Sequence, residues 1–253
     1  MQKVVVLNGS VVNYDHNIDW ATLPGDVVTY DTTSEDQILE RVAGAAVVIT
    51  KEMPMPGAII RQFPASIKMV CEAGTGYNNY DIAALKEKGI VLTNIPAYST
   101  QRVAHTAIML MLNLASTMQT QISMIAAGNH DNFSKHLMVS HEELNGKTLG
   151  VVGFGHIGQA IIKVAQAMDM KILVATRTPR EDFNGIHFTT QAELFAQSDF
   201  ISLNLPLNDT THHLINAAVL KAMKPSAYLI NTARGGLIDQ AALITALQQH
   251  EIA

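Results

Sequence analysis

The sequence has one cysteine, Cys71, in 253 residues. A disulfide within the chain is therefore excluded, and this usage fits a reducing compartment, so a cytoplasmic location is expected. Cys71 closes the apolar segment Lys68-Met69-Val70-Cys71. A thiol there packs as a small hydrophobe, a simpler reading than a nucleophile. No block of five or six like charges occurs, and the formal net charge is −5. Without a basic face to meet phosphates, nucleic acid is not an expected partner. Apolar runs stay far below the roughly 18 residues of a membrane span, so no membrane association is expected. The run that opens the chain breaks at Asn8-Gly9, too early for a signal segment. No metal site is indicated. What is present is ordinary for a globular chain: 48% hydrophobic and 15% charged residues, enough length for one large or two modest domains.

Short apolar runs alternate with amphipathic segments. In the first half the runs are 4–7, 27–30, 45–49, 67–71 and 90–92. A capping box at Ser34-Glu35-Asp36-Gln37 starts one intervening helix, and another helix begins near Asp81 and ends at Gly89. The pattern predicts a parallel sheet covered on both faces. From Tyr98 to about Gly128 it changes to one long helix, whose Met109, Met111 and Met118 suit core or interface packing. Residues 129–145 are polar and weakly periodic, as in a linker or a contact arm. Strand–helix alternation then restarts, with strands at 148–152, 171–175, 200–205 and 227–231 and helices at 156–168, 192–197, 217–223 and 240–249. The expectation is two α/β domains, 1–98 and 99–253. The second shows four strands of a sheet that commonly has six, and its last helix leads to no further strand; missing C-terminal sequence is expected on that ground.

Gly153-Phe154-Gly155-His156-Ile157-Gly158 gives G-x-G-x-x-G between an apolar strand and a helix, the context in which the motif binds a dinucleotide. The first glycine permits the turn, the second lets the backbone approach the pyrophosphate, and the third lets helix pack on strand. Phosphates then meet unpaired N–H groups at the positive end of the helix dipole. A turn that binds nothing is the competing reading. The acidic residue that grips the ribose hydroxyls should close the second strand, but Thr176 stands there. Without that negative charge a 2′-phosphate is tolerated, and Arg177 and Arg180 can pair with it. The cofactor expected is NADP(H) in preference to NAD(H), unless both arginines are merely solvated.

These segments, together with Gly74-Thr75-Gly76-Tyr77-Asn78, Asn94-Ile95-Pro96, Leu203-Asn204-Leu205-Pro206-Leu207 and Asn231-Thr232-Ala233-Arg234-Gly235-Gly236-Leu237-Ile238-Asp239, resemble the D-isomer-specific 2-hydroxyacid dehydrogenases. The likeness runs along the whole chain and is strongest to the hydroxypyruvate and glyoxylate reductases. It implies a flavodoxin-like substrate domain followed by a Rossmann doubly wound dinucleotide-binding domain, and a homodimer. It implies that Arg234 is catalytic, holding the substrate's carboxylate and carbonyl oxygen with a fork that stays charged. It implies that the Thr75 and Gly76 amides grasp the carboxylate, and that Met53, after Lys51 and Glu52, lines the side-chain pocket. Gly153, Gly155, His156, Ile157, Gly158, Thr176, Arg177, Arg180, Leu205, Pro206, Thr232, Ala233 and Val103 are implied to meet the cofactor.

The resemblance also implies a catalytic glutamate and histidine in segments that follow residue 253. The histidine protonates the carbonyl oxygen as hydride arrives, and the glutamate raises its pKa. Among the histidines present, His156 is read as a cofactor neighbour. His105, His212 and His213 show no carboxylate partner by spacing. Two functions follow: a reductase of a small 2-keto acid to a D-2-hydroxy acid, with domain closure excluding water, or a dinucleotide-binding module without turnover, which the chain as written favours. A formate- or phosphite-oxidising relative of the same fold is a third.

Overall fold

A computed structural model of the protein describes residues 1–136 and 138–253. They form two compact units, Met1–Ser99 and Thr100–Ala253. Among the described residues no helix is long and apolar enough to cross a membrane, and no group of three or more His, Cys, Asp or Glu is placed to hold a metal ion.

The first unit contains β1 (Lys3–Val6), β2 (Asp26–Thr29), β3 (Val47–Thr50), β4 (Met69–Glu72) and β5 (Val91–Thr93). All pairs are parallel, in the order β2-β1-β3-β4-β5. That is the flavodoxin-like order expected from the resemblance. Val5, Val48 and Val70 are fully or almost fully buried in its core, because helices such as Gly57–Ile60 and Ile82–Glu87 cover the sheet. Asp81 caps the latter helix by accepting from the Ala84 N–H at 2.9 Å.

The second unit contains β6 (Thr148–Val152), β7 (Lys171–Ala175), β8 (Ile186–Phe188), β9 (Phe200–Leu203) and β10 (Tyr228–Asn231). Their parallel order is β10-β9-β6-β7-β8. Counted within the unit this is 3-2-1-4-5, the Rossmann order through its fifth strand. One buried cluster, with Val151, Ile162 and Val174, lies on the side of the Thr100–Ser116 and His156–Ala167 helices. A second, with Ile201, Leu203 and Leu220, lies against the Gln191–Gln197 and Ala217–Ala222 helices.

Two expectations need correction. The sheet has five strands, since β8 is present; three residues with His187 at the centre give no apolar run to read. The long helix is two helices, Thr100–Ser116 and Met118–Ala126. Thr117 separates them at φ +52, an outlier for a β-branched residue. Its hydroxyl is bonded to the Ser140 carbonyl at 2.5 Å, a tertiary contact that outweighs local helical preference.

Candidate functional site

The dinucleotide loop lies at the carboxyl end of β6, the strand flanked by both β7 and β9. This is the switch point where open α/β sheets bind ligands. Its three glycines answer to different constraints. Gly153 sits at φ +99 and its N–H bonds the Ala175 carbonyl at 2.9 Å; a Cβ there would lie 2.3 Å from the Asn204 carbonyl oxygen. A Cβ on Gly158 would lie 2.4 Å from the Gly153 carbonyl oxygen, so this glycine lets the helix close on the loop. A Cβ on Gly155 would meet nothing within 4 Å among the described residues, and its φ of −82 suits any residue. The fold therefore requires the first and third glycines and not the second.

Gly155 is also the N-cap of the His156–Ala167 helix and supplies no capping side chain. The first helical hydrogen bond is from Gln159 N–H to the Gly155 carbonyl, at 3.0 Å. The N–H groups of His156, Ile157 and Gly158 have no acceptor among the described residues. By contrast Asp81, Thr190, Asn216 and Asp239 cap their helices through side chains. Unpaired donors at the positive end of a twelve-residue helix, beside a glycine with open space, fit a dinucleotide pyrophosphate.

Beyond β7, the Thr176 hydroxyl donates to the Thr178 carbonyl at 2.6 Å and turns the chain. Arg177 and Arg180 are exposed. The Arg180 guanidinium lies 5.3 Å from the ring centre of Phe154, the residue between the first two glycines. Phe154 is braced edge-on by Phe183 and Phe188. Asp182 in the same segment is held below the usual carboxylate range, first by the Phe188 N–H and then by His187. Its charge is thus turned toward β8.

At the ends of β9 and β10, Leu205, Thr232 and Ala233 are half-buried and Pro206 is exposed. Asn231 shapes the turn that carries Arg234: its Oδ1 accepts from the Ala233 N–H at 3.0 Å, and its amide donates to the Arg234 carbonyl at 2.9 Å. Arg234 Nη1 donates to the Ala233 carbonyl at 2.9 Å. The side-chain oxygens of Asn204 and Thr232 are buried without a partner among the described residues. Spare hydrogen-bonding capacity therefore collects at this edge, which suits a polar cofactor ring. Val103 is half-buried on the Thr100–Ser116 helix.

In the first unit the Gly74–Asn78 loop follows β4 and is strapped to Asn94-Ile95. Asn94 donates to the Thr75 carbonyl at 2.7 Å, the Thr75 hydroxyl to the Ile95 carbonyl at 3.0 Å, and the Ile95 N–H to the Gly74 carbonyl at 2.9 Å. The Thr75 and Gly76 N–H groups remain without an acceptor among the described residues. A second turn, Lys51-Glu52-Met53, ends β3. Asn8 grips Lys51 by both its carbonyl (2.7 Å) and its N–H (3.1 Å), and the Lys51 ammonium faces the rings of Tyr14 and Tyr98. Met53 is buried.

Sequence reasoning missed Glu72, which is fully buried at the end of β4, and Asn231 as the brace of Arg234. It also missed a histidine–carboxylate pair: His187 Nδ1 contacts Asp182. Adjacent polar residues in the 182–188 segment gave no spacing signal for that pair. It is exposed on the edge strand opposite β10, remote in strand order from Arg234.

Residues 108–253 match the sequence profile of the D-isomer specific 2-hydroxyacid dehydrogenase NAD binding domain. The chain is 34% identical over 260 residues to a hydroxypyruvate reductase of Blautia hydrogenotrophica, covering 99% of this chain and 80% of that protein. Among solved structures it resembles an NADPH-dependent glyoxylate/hydroxypyruvate reductase of Sinorhizobium meliloti in complex with NADP and malonate, with TM-score 0.84, 28% identity and coverage of 100% and 77% of the two chains. It also resembles a D-lactate dehydrogenase of Aquifex aeolicus complexed with NAD and lactic acid, with TM-score 0.85, 28% identity and coverage of 98% and 74%. The fold and loop define a nicotinamide-dinucleotide-binding oxidoreductase. Within that class, the chain belongs to the D-isomer-specific 2-hydroxyacid dehydrogenase family.

Proposed function

We propose that this protein binds NADP(H) in preference to NAD(H) and acts on a small 2-keto acid of the glyoxylate or hydroxypyruvate kind, the reaction being reduction to the D-2-hydroxy acid. The observation that carries this reading is the set of unpaired N–H groups behind Gly155, at a position where the fold itself has no need of glycine. The absence of an acid at Thr176 and the setting of Arg180 over Phe154 support the 2′-phosphate.

When bound, the nicotinamide supplies the hydride. The chain's own residues do the rest of the binding and orientation. Arg234, placed by the Asn231 turn, presents its guanidinium to the substrate's carboxylate and carbonyl oxygens and stabilises the charge that develops on the latter. In the first unit, the Thr75 and Gly76 amides are two unpaired donors of the kind that binds a carboxylate. Met53 lines the acceptor's side-chain pocket. The carbonyl oxygen also needs a proton. The one histidine–carboxylate ion pair among the described residues lies on β8, at the far edge of the sheet from β10. With no histidine–carboxylate pair beside Arg234 among the described residues, we infer that these residues bind cofactor and keto acid better than they turn them over.

A homodimer is part of the same reading. Met109, Leu112, Met118, Ile122 and Ile125 are exposed on the Thr100–Ser116 and Met118–Ala126 helices. An apolar surface of this kind is covered when two copies associate.

The test has two arms. Fluorescence titration with NADPH is expected to show binding that tightens when glycolate is present. NADPH consumption by the 253-residue chain with glyoxylate or hydroxypyruvate is expected at background. Sustained consumption overturns the statement about the proton donor, and absence of NADPH binding overturns the reading as a whole.

A further inference from the structure

Glu72 has no role in the chemistry above, yet it is the one carboxylate among the described residues that is buried, at 0% exposure. It ends β4 directly opposite Thr50 of β3. Both carboxylate oxygens are engaged. Oε1 accepts from the Glu52 N–H at 2.9 Å, and Oε2 accepts from the Asn79 amide at 2.9 Å. The same Asn79 amide donates to the Met53 carbonyl at 2.7 Å. Glu52 is held at φ +55, a backbone conformation that a glutamate rarely adopts unaided. Gly74 accommodates the carboxylate closely, since a Cβ there would lie 2.9 Å from Oε1.

One carboxylate thus ties the turn carrying Met53 to the loop carrying Thr75 and Gly76. Burying it is costly, and apolar packing of the same volume would stabilise the unit more. What an apolar residue cannot do is accept two hydrogen bonds from two different segments and so fix their relative positions. We propose that Glu72 is a positioning residue whose buried carboxylate sets the Met53 turn and the Thr75–Gly76 amides in the arrangement that receives a 2-keto acid. The proposal rests on the reading of that loop as the substrate-carboxylate site.

Burial pushes Glu72 above the usual carboxylate range, against the lowering effects of the Glu52 N–H and the Asn79 amide. The ionisable groups around it are Glu52, Lys51, Tyr80 and Cys71. Protonation converts one acceptor oxygen into a hydroxyl, so one of the two tethers is lost. The two roles open to Glu72 then predict opposite signs. If it were only a like charge behind the anion site, acidification would strengthen keto-acid binding. As a positioning residue, it predicts that binding weakens as pH falls through its raised pKa.

The experiment follows the backbone amide resonances of Thr75 and Gly76 in the 253-residue protein during titration with glyoxylate, across the mildly acidic range. It uses wild type, Glu72→Gln, Glu52→Gln and Asn79→Ser. In wild type the two amides shift on titration, and the midpoint moves to higher glyoxylate as pH falls. Glu72→Gln places an amide donor against the Asn79 donor. Its midpoint is expected to rise roughly tenfold, the scale of one charge-assisted hydrogen bond, with little remaining pH dependence. Glu52→Gln keeps the Glu52 N–H and so the direction of the pH dependence, with its midpoint displaced to lower pH because the Glu52 charge helps to raise Glu72. Asn79→Ser weakens binding in the same direction and keeps the test open if Glu72→Gln does not fold. The proposal is overturned if Glu72→Gln or Asn79→Ser binds as wild type does, or if wild-type binding strengthens on acidification. Amides that never respond in wild type overturn the reading of the loop, and this proposal with it.

Discussion

The glycines at 153, 155 and 158 belong to one motif, but the structure predicts different consequences for replacing each with alanine. Gly153→Ala puts a Cβ 2.3 Å from the Asn204 carbonyl oxygen at φ +99. Strain of this kind costs about 1–3 kcal/mol, and the clash with backbone adds to it. Gly158→Ala puts a Cβ 2.4 Å from the Gly153 carbonyl oxygen, and neither helix nor loop yields cheaply; about 3 kcal/mol is the scale. For a chain of this size each kcal/mol moves Tm by roughly 2–4 °C, so both variants should melt several degrees lower. Gly155→Ala meets nothing within 4 Å at an ordinary φ of −82. Its unfolded chain loses freedom, a gain of about 0.4–1 kcal/mol. Alanine is the poorer N-cap, a loss of similar size. The two nearly cancel, so Tm should hold within about 2 °C. NADPH affinity should nevertheless fall by roughly tenfold or more, because the methyl group occupies the approach to the His156–Gly158 amides. The assay pairs thermal melts with NADPH fluorescence titration on the same samples. Gly155→Ala that melts as low as the other two, or that binds NADPH like wild type, refutes the division between a glycine kept for the ligand and two kept for the fold.

Replacing Arg180 with alanine should weaken NADPH binding by roughly tenfold and leave NADH nearly unchanged, because only the 2′-phosphate uses that charge; parallel titrations with both cofactors measure it. Met109→Asp with Ile122→Lys should shift the sedimentation of the protein toward the monomer, and unchanged sedimentation counts against the proposed dimer surface. Glu193 is held down at about 2, mainly by the Thr189 and Thr190 hydroxyls. A depressed folded pKa means stability present above the unfolded value of 4.5 and lost as pH falls toward 2. Glu193→Gln keeps a capping side chain at the same place, so its Tm should fall less over that pH interval than the wild type's.

Much of this architecture was legible because the determining interactions are local. The capping side chains of Asp81, Thr190 and Asp239, and the strand-to-helix passage through the glycine loop, are short-range features that sequence displays. The failures have tertiary causes. Strand β8 exists because Ile186 and Phe188 pair beside β7, and three residues around a histidine carry no period. The helix breaks at Thr117 because Ser140, 23 residues away, bonds its hydroxyl. Glu72 reads as a polar residue at a strand end, and its burial depends on Glu52 and Asn79 arriving from elsewhere. The contact of Arg180 with Phe154 likewise joins two turns separated by a strand and a helix. Candidate site residues could thus be proposed from the sequence, but the residues that hold their turns in place could not.

The most direct test of the account is calorimetric titration of the protein with NADPH and NADH at one fixed ionic strength. Saturable binding of one dinucleotide per chain is expected, tighter for NADPH than for NADH. Binding of neither would contradict the assignment of the Gly153–Gly158 loop, and tighter binding of NADH would contradict the roles given to Thr176, Arg177 and Arg180.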